Sequence, residues 1–332
     1  MATHQQFNPA RLVATHDVAD GIRVFDIEPV DGLRPHAPGS HIDVEVLVDD
    51  RPQYRSFSLI DNAAETGVYR IAVKDRPDGH GGSRYLWSLV AGDRLRVSDP
   101  KDRFALSYRA PEALLVAGGI GITPLYGMAR ALNRAGRRLR LLYTARSREE
   151  MAFVDELAAE LGDRLELFVT GAGQRLDPGA IINDLAADAE LYICGPQSLR
   201  EAFLGAWLAR GRPAERFRFE TFASSGRLPD TAFNVRVANR DLDFTVAQDQ
   251  SLLDALRAHG VDDVLYDCEH GECGLCTIDV LEHSGELDHR DVFYSPRQKT
   301  TDTRMCACVS RVHNGHLVID TSRHAVDTGR PD

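Results

Sequence analysis

The pattern of hydrophobic and polar residues changes twice along the chain. Between residues 11 and 110, short apolar segments alternate with polar turns and include IRVFDIEPV, HIDVEVLV, YRSFSLI, VYRIAVK and DRLRVSDP. Closely spaced strands with few helices predict an antiparallel β-barrel. From Pro111 onward, apolar strands such as ALLVAGG and LRLLYTARS alternate with amphipathic helices such as PLYGMARALNRAG. This alternation predicts an α/β domain with a parallel sheet flanked by helices.

A third pattern follows the small-residue stretch ASSGRLP at 223–229, whose composition suits a linker. FNVRVAN and LDFTVAQ predict a hairpin, and HLVID predicts a final strand. SLLDALRAHG predicts a helix that is capped by Ser251 and ended by Gly260. These elements indicate a small α+β domain. The predicted divisions are a barrel domain at 1–108, an α/β domain at 109–224, a linker at 225–232, an α+β domain at 233–322 and a tail at 323–332.

Composition and charge restrict the possible functions. The 332-residue chain is 43% hydrophobic and 27% charged, which is typical of a globular protein. No apolar run approaches the roughly 20 residues of a membrane-spanning helix, and MATHQQFNPA lacks a secretory signal, so we expect a cytoplasmic protein. The net charge is −11, and residues 231–332 contain 18 acidic and 10 basic residues. This acidity disfavours nucleic-acid binding and suits either a basic protein partner or solubility.

The six cysteines are unevenly distributed, which argues against a disulfide framework. One stands alone, and the other five are Cys268, Cys273, Cys276, Cys306 and Cys308. The first three of these form a C-x4-C-x2-C motif, the spacing of a plant-type 2Fe–2S cluster. Zinc is the alternative, but structural zinc sites usually present paired C-x2-C motifs. We therefore predict a cluster, and the residues alone leave Cys306 and Cys308 both open as the fourth ligand.

Two glycine motifs predict phosphate-binding sites. Gly81-Gly82-Ser83 opens a helical segment, where backbone N–H groups and the helix dipole favour an anion. AGGIGITP, at 117–124, follows an apolar strand and opens a second helix. This run matches a Rossmann turn only in part, because Pro124 replaces the third glycine.

The segment Arg55-Ser56-Phe57-Ser58 resembles the R-x-[YF]-S flavin motif of the ferredoxin–NADP reductase superfamily. The runs MCACVSR and GELDHRDVF, and the order of the three domains, resemble the phthalate dioxygenase reductase and vanillate O-demethylase reductase family. This resemblance covers nearly the whole chain. It implies a β-barrel flavin domain, an α/β nucleotide domain and a C-terminal ferredoxin domain of the β-grasp type.

The resemblance also implies a set of site residues. FMN, with FAD as the alternative, would be bound by Arg55, Ser56, Phe57, Ser58, Ala72, Val73, Lys74, Gly81, Gly82 and Ser83. NADH would be bound by Gly119, Gly121, Thr123, Pro124, Arg146, Cys194, Gly195 and Pro196. NADPH is the alternative nucleotide, because Arg146 and Arg148 could bind a 2′-phosphate. Hydride transfer would involve Ser58, Cys194 and Phe222, with ordinary core packing as the alternative for the last two. The fourth cluster ligand would be Cys308.

These expectations combine into one function. A nicotinamide nucleotide gives up two electrons as hydride, whereas a two-iron cluster accepts one, and a flavin can mediate between them. We therefore expect a reductase that passes electrons from NADH through FMN and a 2Fe–2S cluster to a Rieske-type aromatic oxygenase. Asp267, Glu269 and Glu272 would form the docking face. The alternatives are a cytochrome P450 or a carnitine-type oxygenase as acceptor, or a non-catalytic cluster-binding redox protein.

Overall fold

The structure, a computed structural model, describes residues 7–48, 51–76, 81–222, 228–269 and 271–322. Residues 225–227 of the predicted linker and the predicted tail at 323–332 lie outside the described residues. Internal contacts divide the chain into two units, Thr3–Phe222 and a second unit that contains Ala223–Asp332.

The N-terminal part of the first unit is an antiparallel barrel. Its elements are β1 (Phe7–Ala19), β2 (Ile22–Pro29), β3 (His41–Val48), β4 (Arg51–Ser58), α1 (Ala63–Thr66), β5 (Tyr69–Lys74), α2 (Gly82–Ser88) and β6 (Arg94–Ser98). Over the described residues, the strands pair in the order β4-β3-β6-β1-β2-β5. A bridge between Leu59 and Ile71 joins the two ends of this sheet and closes it. The predicted antiparallel barrel is therefore confirmed.

Strand β1 was missing from the elements that the sequence predicted. It lies between β2 and β6, and its side chains include the fully buried Leu12. Its pairing with β2 shifts register between Leu12 and Ala14 and again between Asp17 and Ala19. Each shift changes which side chains face the core, so the strand lacks the regular alternation that identifies a strand in a sequence.

The rest of the first unit is the predicted α/β domain. Its elements are β7 (Glu112–Gly118), α3 (Ile122–Arg134), β8 (Arg138–Ala145), α4 (Val154–Leu161), β9 (Leu165–Val169), α5 (Pro178–Asn183), β10 (Glu190–Cys194), α6 (Gln197–Ala209) and β11 (Phe217–Glu220). In the described chain, the parallel strands take the order β11-β10-β7-β8-β9. The winding direction reverses between β7 and β10, and α/β sheets bind ligands at the crevice beside such a switch point.

A network of charged side chains joins the barrel to the α/β domain. The Asp61 carboxylate accepts hydrogen bonds from Arg70 at 2.8 Å and from Arg130, on α3, at 3.1 Å. Arg70 also pairs with Asp26 at 2.6 Å, and Arg130 pairs with Glu160 at 2.8 Å. The Asp61 side chain is only 10% exposed, so its buried negative charge is stabilised by both arginines.

We expect Asp61→Asn to destabilise the first unit, because it removes the charge that both arginines bind. Breaking a buried ion pair costs several kcal/mol, and the partly exposed arginines reduce this to about 2 kcal/mol. The free energy of unfolding in urea measures the effect. Asp17→Asn is the control, because Asp17 is exposed and pairs with Arg23 at the surface. Equal losses in the two variants would contradict the role assigned to Asp61.

The second unit is a small α+β domain. Its elements are β12 (Phe233–Val237), β13 (Leu242–Val246), α7 (Leu252–Ala258), β14 (Thr277–His283), β15 (Glu286–Asp288), α8 (Pro296–Lys299), β16 (Arg304–Cys306), β17 (Arg311–His313) and β18 (His316–Asp320). The main sheet of the described residues has the order β13-β12-β18-β14-β16. The predicted β12–β13 hairpin is confirmed, as is the cap on α7, where the Ser251 hydroxyl accepts the Asp254 N–H at 3.0 Å. No helix in the described ranges is both long and hydrophobic enough to span a lipid bilayer.

Candidate functional site

The Arg55 side chain lies across the start of α2. Its guanidinium donates to the Tyr54 carbonyl at 2.9 Å and to the Gln53 side chain at 2.5 Å, which fixes its direction. A β-carbon on Gly82 would lie 2.8 Å from Arg55 Cγ and 3.0 Å from Nε, so glycine is needed for this approach. Gly81 precedes the helix with a φ of 80°, a left-handed conformation that favours glycine. An arginine beside the free N–H groups of a helix start is suited to a phosphate.

The remaining predicted flavin residues on β4 and α2 have mixed surroundings. The Ser56 hydroxyl hydrogen-bonds to Asp43, and Phe57 is half-buried against the barrel core. Ser83 is half-buried in the first turn of α2. The Ser56 hydroxyl is thus hydrogen-bonded within the barrel, whereas the side chains of Phe57 and Ser83 are partly accessible to a ligand.

Strand β5 lies beside the end of β4. The bridge that closes the barrel joins the residues next to Ser58 and Ala72, so these two residues meet at one edge. Ala72 and Val73 are buried, and Lys74 pairs with Glu150 of the α/β domain at 2.9 Å. The structure therefore brings the predicted flavin residues of β4 and β5 together.

The glycine turn after β7 contacts the corner after β10. A β-carbon on Gly121 would lie 2.2 Å from the Cys194 carbonyl oxygen, and one on Gly118 would lie 2.6 Å from Pro196 Cδ. A β-carbon on Gly195 would lie 2.9 Å from the Gly118 Cα atom. The two predicted nucleotide motifs therefore meet at the switch point of the sheet, where they are in backbone contact.

Local features shape the turn itself. Gly119 has a φ of 54°, and the buried Thr123 hydroxyl donates to the Ile120 carbonyl at 3.0 Å. Pro124 lies in the first turn of α3, where its missing N–H costs no hydrogen bond. The strand–turn–helix context that the sequence predicted is confirmed.

Two arginines follow β8. Arg146 is exposed, and its carbonyl accepts the Gly171 N–H at 2.8 Å. Arg148 is paired with Asp155 at 2.8 Å. Arg146 is therefore better placed than Arg148 to contact a ligand at this edge of the sheet.

Ser58 and Cys194 are brought together by a residue that sequence reasoning missed, Glu220. The register of β10 and β11 pairs Glu220 with Cys194, and the Ser58 hydroxyl donates to the Glu220 carboxylate at 3.2 Å. Cys194 is buried, and Phe222 is partly exposed two residues beyond Glu220. The run FRFETF contains both Glu220 and Phe222, but only strand pairing shows that the carboxylate lies beside Cys194.

We expect Ser58→Ala to slow the reduction of bound flavin by NADH about tenfold, the equivalent of one lost hydrogen bond of about 1.4 kcal/mol. Anaerobic stopped-flow absorbance measures this rate. Ser88→Ala is the control, because Ser88 is exposed and its hydroxyl bonds to the Tyr85 carbonyl within α2. An unchanged rate in Ser58→Ala would show that the hydrogen bond between Ser58 and Glu220 does not contribute to flavin reduction.

The cysteines of the second unit form two groups. The N–H groups of Glu272 and Cys273 both donate to Cys268 Sγ at 3.3 Å. Hydrogen bonding to Cys268 lowers the pKa of Cys273 to about 6. Hydrogen bonds from Cys306 and Cys308 lower the pKa of Cys276 to about 4. Both shifts favour thiolates, the form that binds iron.

This arrangement fits a two-iron cluster better than a single metal ion. Two iron atoms held by four cysteines require the thiolates in pairs; Cys268 and Cys273 form one such pair, and Cys276 lies with Cys306 and Cys308. A tetrahedral zinc site would need all four around one point.

Cys306 and Cys308 differ in their surroundings. Both are buried, and their hydrogen bonds to Cys276 raise the pKa of each. Cys308 also interacts electrostatically with Cys268, whereas Cys306 interacts with Asp291 and Thr277. The interactions of Cys308 therefore involve both parts of the C-x4-C-x2-C loop.

Three family models match successive parts of the chain. An oxidoreductase FAD-binding domain matches residues 9–106, and an oxidoreductase NAD-binding domain matches residues 115–203. A 2Fe-2S iron-sulfur cluster binding domain matches residues 235–313.

Matches to individual proteins extend over the whole chain. The phenoxybenzoate dioxygenase subunit beta of Ectopseudomonas oleovorans is 37% identical over 91% of this chain and 93% of its own. The heme-dependent oxidative N-demethylase beta subunit of Ectopseudomonas mendocina is 36% identical over 93% of this chain and 97% of its own. The solved structure of phthalate dioxygenase reductase has a TM-score of 0.78 and 32% identity, and covers 95% of this chain and 98% of that one. The chain belongs to the phthalate dioxygenase reductase family.

As a member of this family, the protein is an NAD(P)H-dependent flavin and iron–sulfur oxidoreductase of the kind that serves oxygenases. Its cofactors are a flavin and a 2Fe–2S cluster, and its electron donor is NADH. The predicted fold class, with a flavin barrel, a parallel-sheet nucleotide domain and a C-terminal ferredoxin domain, is confirmed for this reductase.

Proposed function

We propose that this reductase passes electrons from NADH through FMN and its 2Fe–2S cluster to a Rieske-type aromatic oxygenase. The observation that carries the proposal is the hydrogen bond of Ser58 with Glu220. Glu220 lies opposite Cys194 in the parallel pairing of β10 with β11. This contact joins the flavin motif of the barrel to the nucleotide corner of the α/β domain. We also propose that the domains are separated after residues 108 and 224.

The chain's own residues bind and orient the reactants. A flavin accepts hydride and releases electrons singly, and a 2Fe–2S cluster carries one electron. Arg55 and the start of α2 would hold the flavin phosphate, and the turn that contains Gly119, Gly121, Thr123 and Pro124 would accept the NADH pyrophosphate. The buried Cys194 excludes water beside the turn. Glu220 accepts a hydrogen bond from the Ser58 hydroxyl and thereby fixes the hydroxyl at the end of β4.

We assign four cluster ligands, Cys268, Cys273, Cys276 and Cys308. The hydrogen bonds among the thiols support the first three, and the electrostatic interaction of Cys308 with Cys268 supports the fourth. Cys306 is then a buried neighbour whose thiol lies towards Thr277.

FMN is the flavin that we propose, and the family model supports a flavin without distinguishing FMN from FAD. The cradle formed by Arg55 and Gly82 supports a flavin phosphate at this point. Chromatography of the flavin released by heat distinguishes the two cofactors by their retention times. Recovery of FAD would overturn the assignment of FMN while leaving the rest of the electron path intact.

The relatives support an oxygenase as the acceptor. One relative is named as a dioxygenase subunit, and the acidic ferredoxin domain suits an oxygenase with a basic face. Asp267, Glu269 and Glu272 are the proposed docking residues. Turnover of the reductase with its oxygenase should fall as ionic strength rises. Turnover that does not respond to salt would exclude electrostatic docking.

A haem-containing acceptor is the second candidate. It is favoured by the heme-dependent N-demethylase beta subunit, which matches the chain nearly end to end. Genes adjacent to that of this reductase would distinguish the two, because a Rieske oxygenase and a haem oxygenase have different sequence motifs.

Anaerobic titration with NADH tests the electron path as a whole. We expect the flavin absorbance and the cluster absorbance to decrease together. A flavin that is bleached while the cluster stays oxidised would break the proposed path, and a colourless protein would favour a binding protein or a zinc site.

A further inference from the structure

An apolar side chain projects from the centre of the cysteine loop. Leu275 lies between the proposed ligands Cys273 and Cys276, and it is 40% exposed. The adjacent ligand Cys276 is buried, so the leucine covers the loop from outside. An exposed leucine at one isolated position would need no explanation, but a second exposed apolar side chain, from a separate segment, packs against the residue that precedes this one.

That neighbour is Phe293. A β-carbon on Gly274 would lie 2.3–2.5 Å from three atoms of the Phe293 ring, so the ring rests directly on the residue before Leu275. Its backbone N–H donates to the Gly271 carbonyl at 3.2 Å, and its ring packs edge-on against Tyr294 at 5.0 Å. The side chain is nevertheless 47% exposed. One side of the ring is therefore fixed on the loop while much of its surface faces outward.

A fixed aromatic ring is well suited to protein association. It contributes a large contact area, and little side-chain entropy is lost because its position is already set. The surrounding domain is acidic, with 18 acidic and 10 basic residues over 231–332. A partner that matches both properties has an apolar centre surrounded by lysine or arginine.

We propose that Leu275 and Phe293 form the contact face on which the acceptor protein docks for electron transfer. The proposal rests on the proposed function and specifies where the electron leaves the reductase. The acceptor places an apolar patch on these two side chains while its basic rim faces the acidic domain. The loop that holds Cys273 and Cys276 then lies directly beneath the contact, which keeps the path for the electron short.

Binding to cytochrome c tests this face with a defined basic protein whose exposed haem edge is surrounded by lysines. The measurement is the Kd from isothermal titration calorimetry of the oxidised proteins at low ionic strength. We expect Leu275→Gln to raise the Kd about tenfold, the loss of one well-packed apolar contact. Phe293→Ser tests the second half of the face and should have at least the same effect. Leu281→Gln is the matched control, since Leu281 is a 57% exposed leucine of β14 outside the loop.

The proposal is overturned if Leu275→Gln and Phe293→Ser bind as tightly as the unmodified protein, if Leu281→Gln weakens binding equally, or if the unmodified protein does not bind. These results do not depend on NADH or flavin reduction. NADH-driven reduction of ferricyanide, a small acceptor that needs no docking face, tests the proposed function separately. Failure of that reaction would reject the electron path, whereas unchanged Kd values would reject only the docking face.

Discussion

Replacing Cys276 with serine is expected to abolish the visible absorbance of the iron–sulfur cluster while NADH still bleaches the flavin. Cys276 accepts hydrogen bonds from the thiols of the 306–308 segment and is nearly fully buried, so water cannot replace its sulfur. Four thiolates are needed to hold the cluster. The flavin and nucleotide motifs lie in a different compact unit and do not include this residue. Absorbance spectra before and after anaerobic addition of NADH measure both effects.

Serine substitutions at the other two thiols provide the matched controls. We expect Cys308→Ser to lose the cluster as Cys276→Ser does, and Cys306→Ser to retain it, because Cys306 lies towards Thr277 and Asp291. The reverse result would assign the fourth ligand to Cys306. Loss of flavin reduction in a folded Cys276→Ser protein would contradict the separation of the two sites.

Gly121→Ala is expected to raise the KM for NADH at least tenfold while the protein keeps its flavin and its cluster. The added β-carbon would lie 2.2 Å from the Cys194 carbonyl oxygen and 2.5 Å from the carbonyl carbon. These are backbone atoms of β10, so they cannot rotate away, and the turn must separate from the nucleotide corner. Overpacking of this kind costs roughly 1–3 kcal/mol, and about 1.4 kcal/mol corresponds to tenfold in affinity. Stopped-flow reduction at a series of NADH concentrations measures the change.

Gly205→Ala is the control for this substitution. Gly205 lies in α6, and its β-carbon would meet no atom within 4 Å. Alanine is also the better helix former, so this variant should bind NADH normally and be slightly more stable. A normal KM in Gly121→Ala would show that the turn and the corner are not in tight contact in solution.

The parts of the site that could be predicted from the sequence are those that depend on neighbours along the chain. The spacing of Cys268, Cys273 and Cys276 sets a loop length, and a loop of that length already restricts which metal group it can enclose. Likewise, the turn from Gly119 to Pro124 could be predicted because a strand, glycines and a helix follow one another directly.

The parts that were missed depend on pairing between distant segments. Glu220 acquires its place from the register of β10 with β11 and from Ser58, a residue 162 positions earlier. Nothing in FRFETF indicates which strand lies beside it. Strand β1 was missed because its bulges disrupt the alternation on which strand prediction relies.

The central position of β1 also affects the order in which the barrel can fold during synthesis. Its first partner, β2, follows it immediately and can pair as soon as both strands have left the ribosome. Its second partner, β6, ends at Ser98, so one edge of β1 stays unpaired while the intervening residues are made. Unpaired strand edges promote aggregation, and pairing across a long stretch of chain is slow. The nascent barrel is therefore most exposed to misassembly until β6, which ends at Ser98, has left the ribosome.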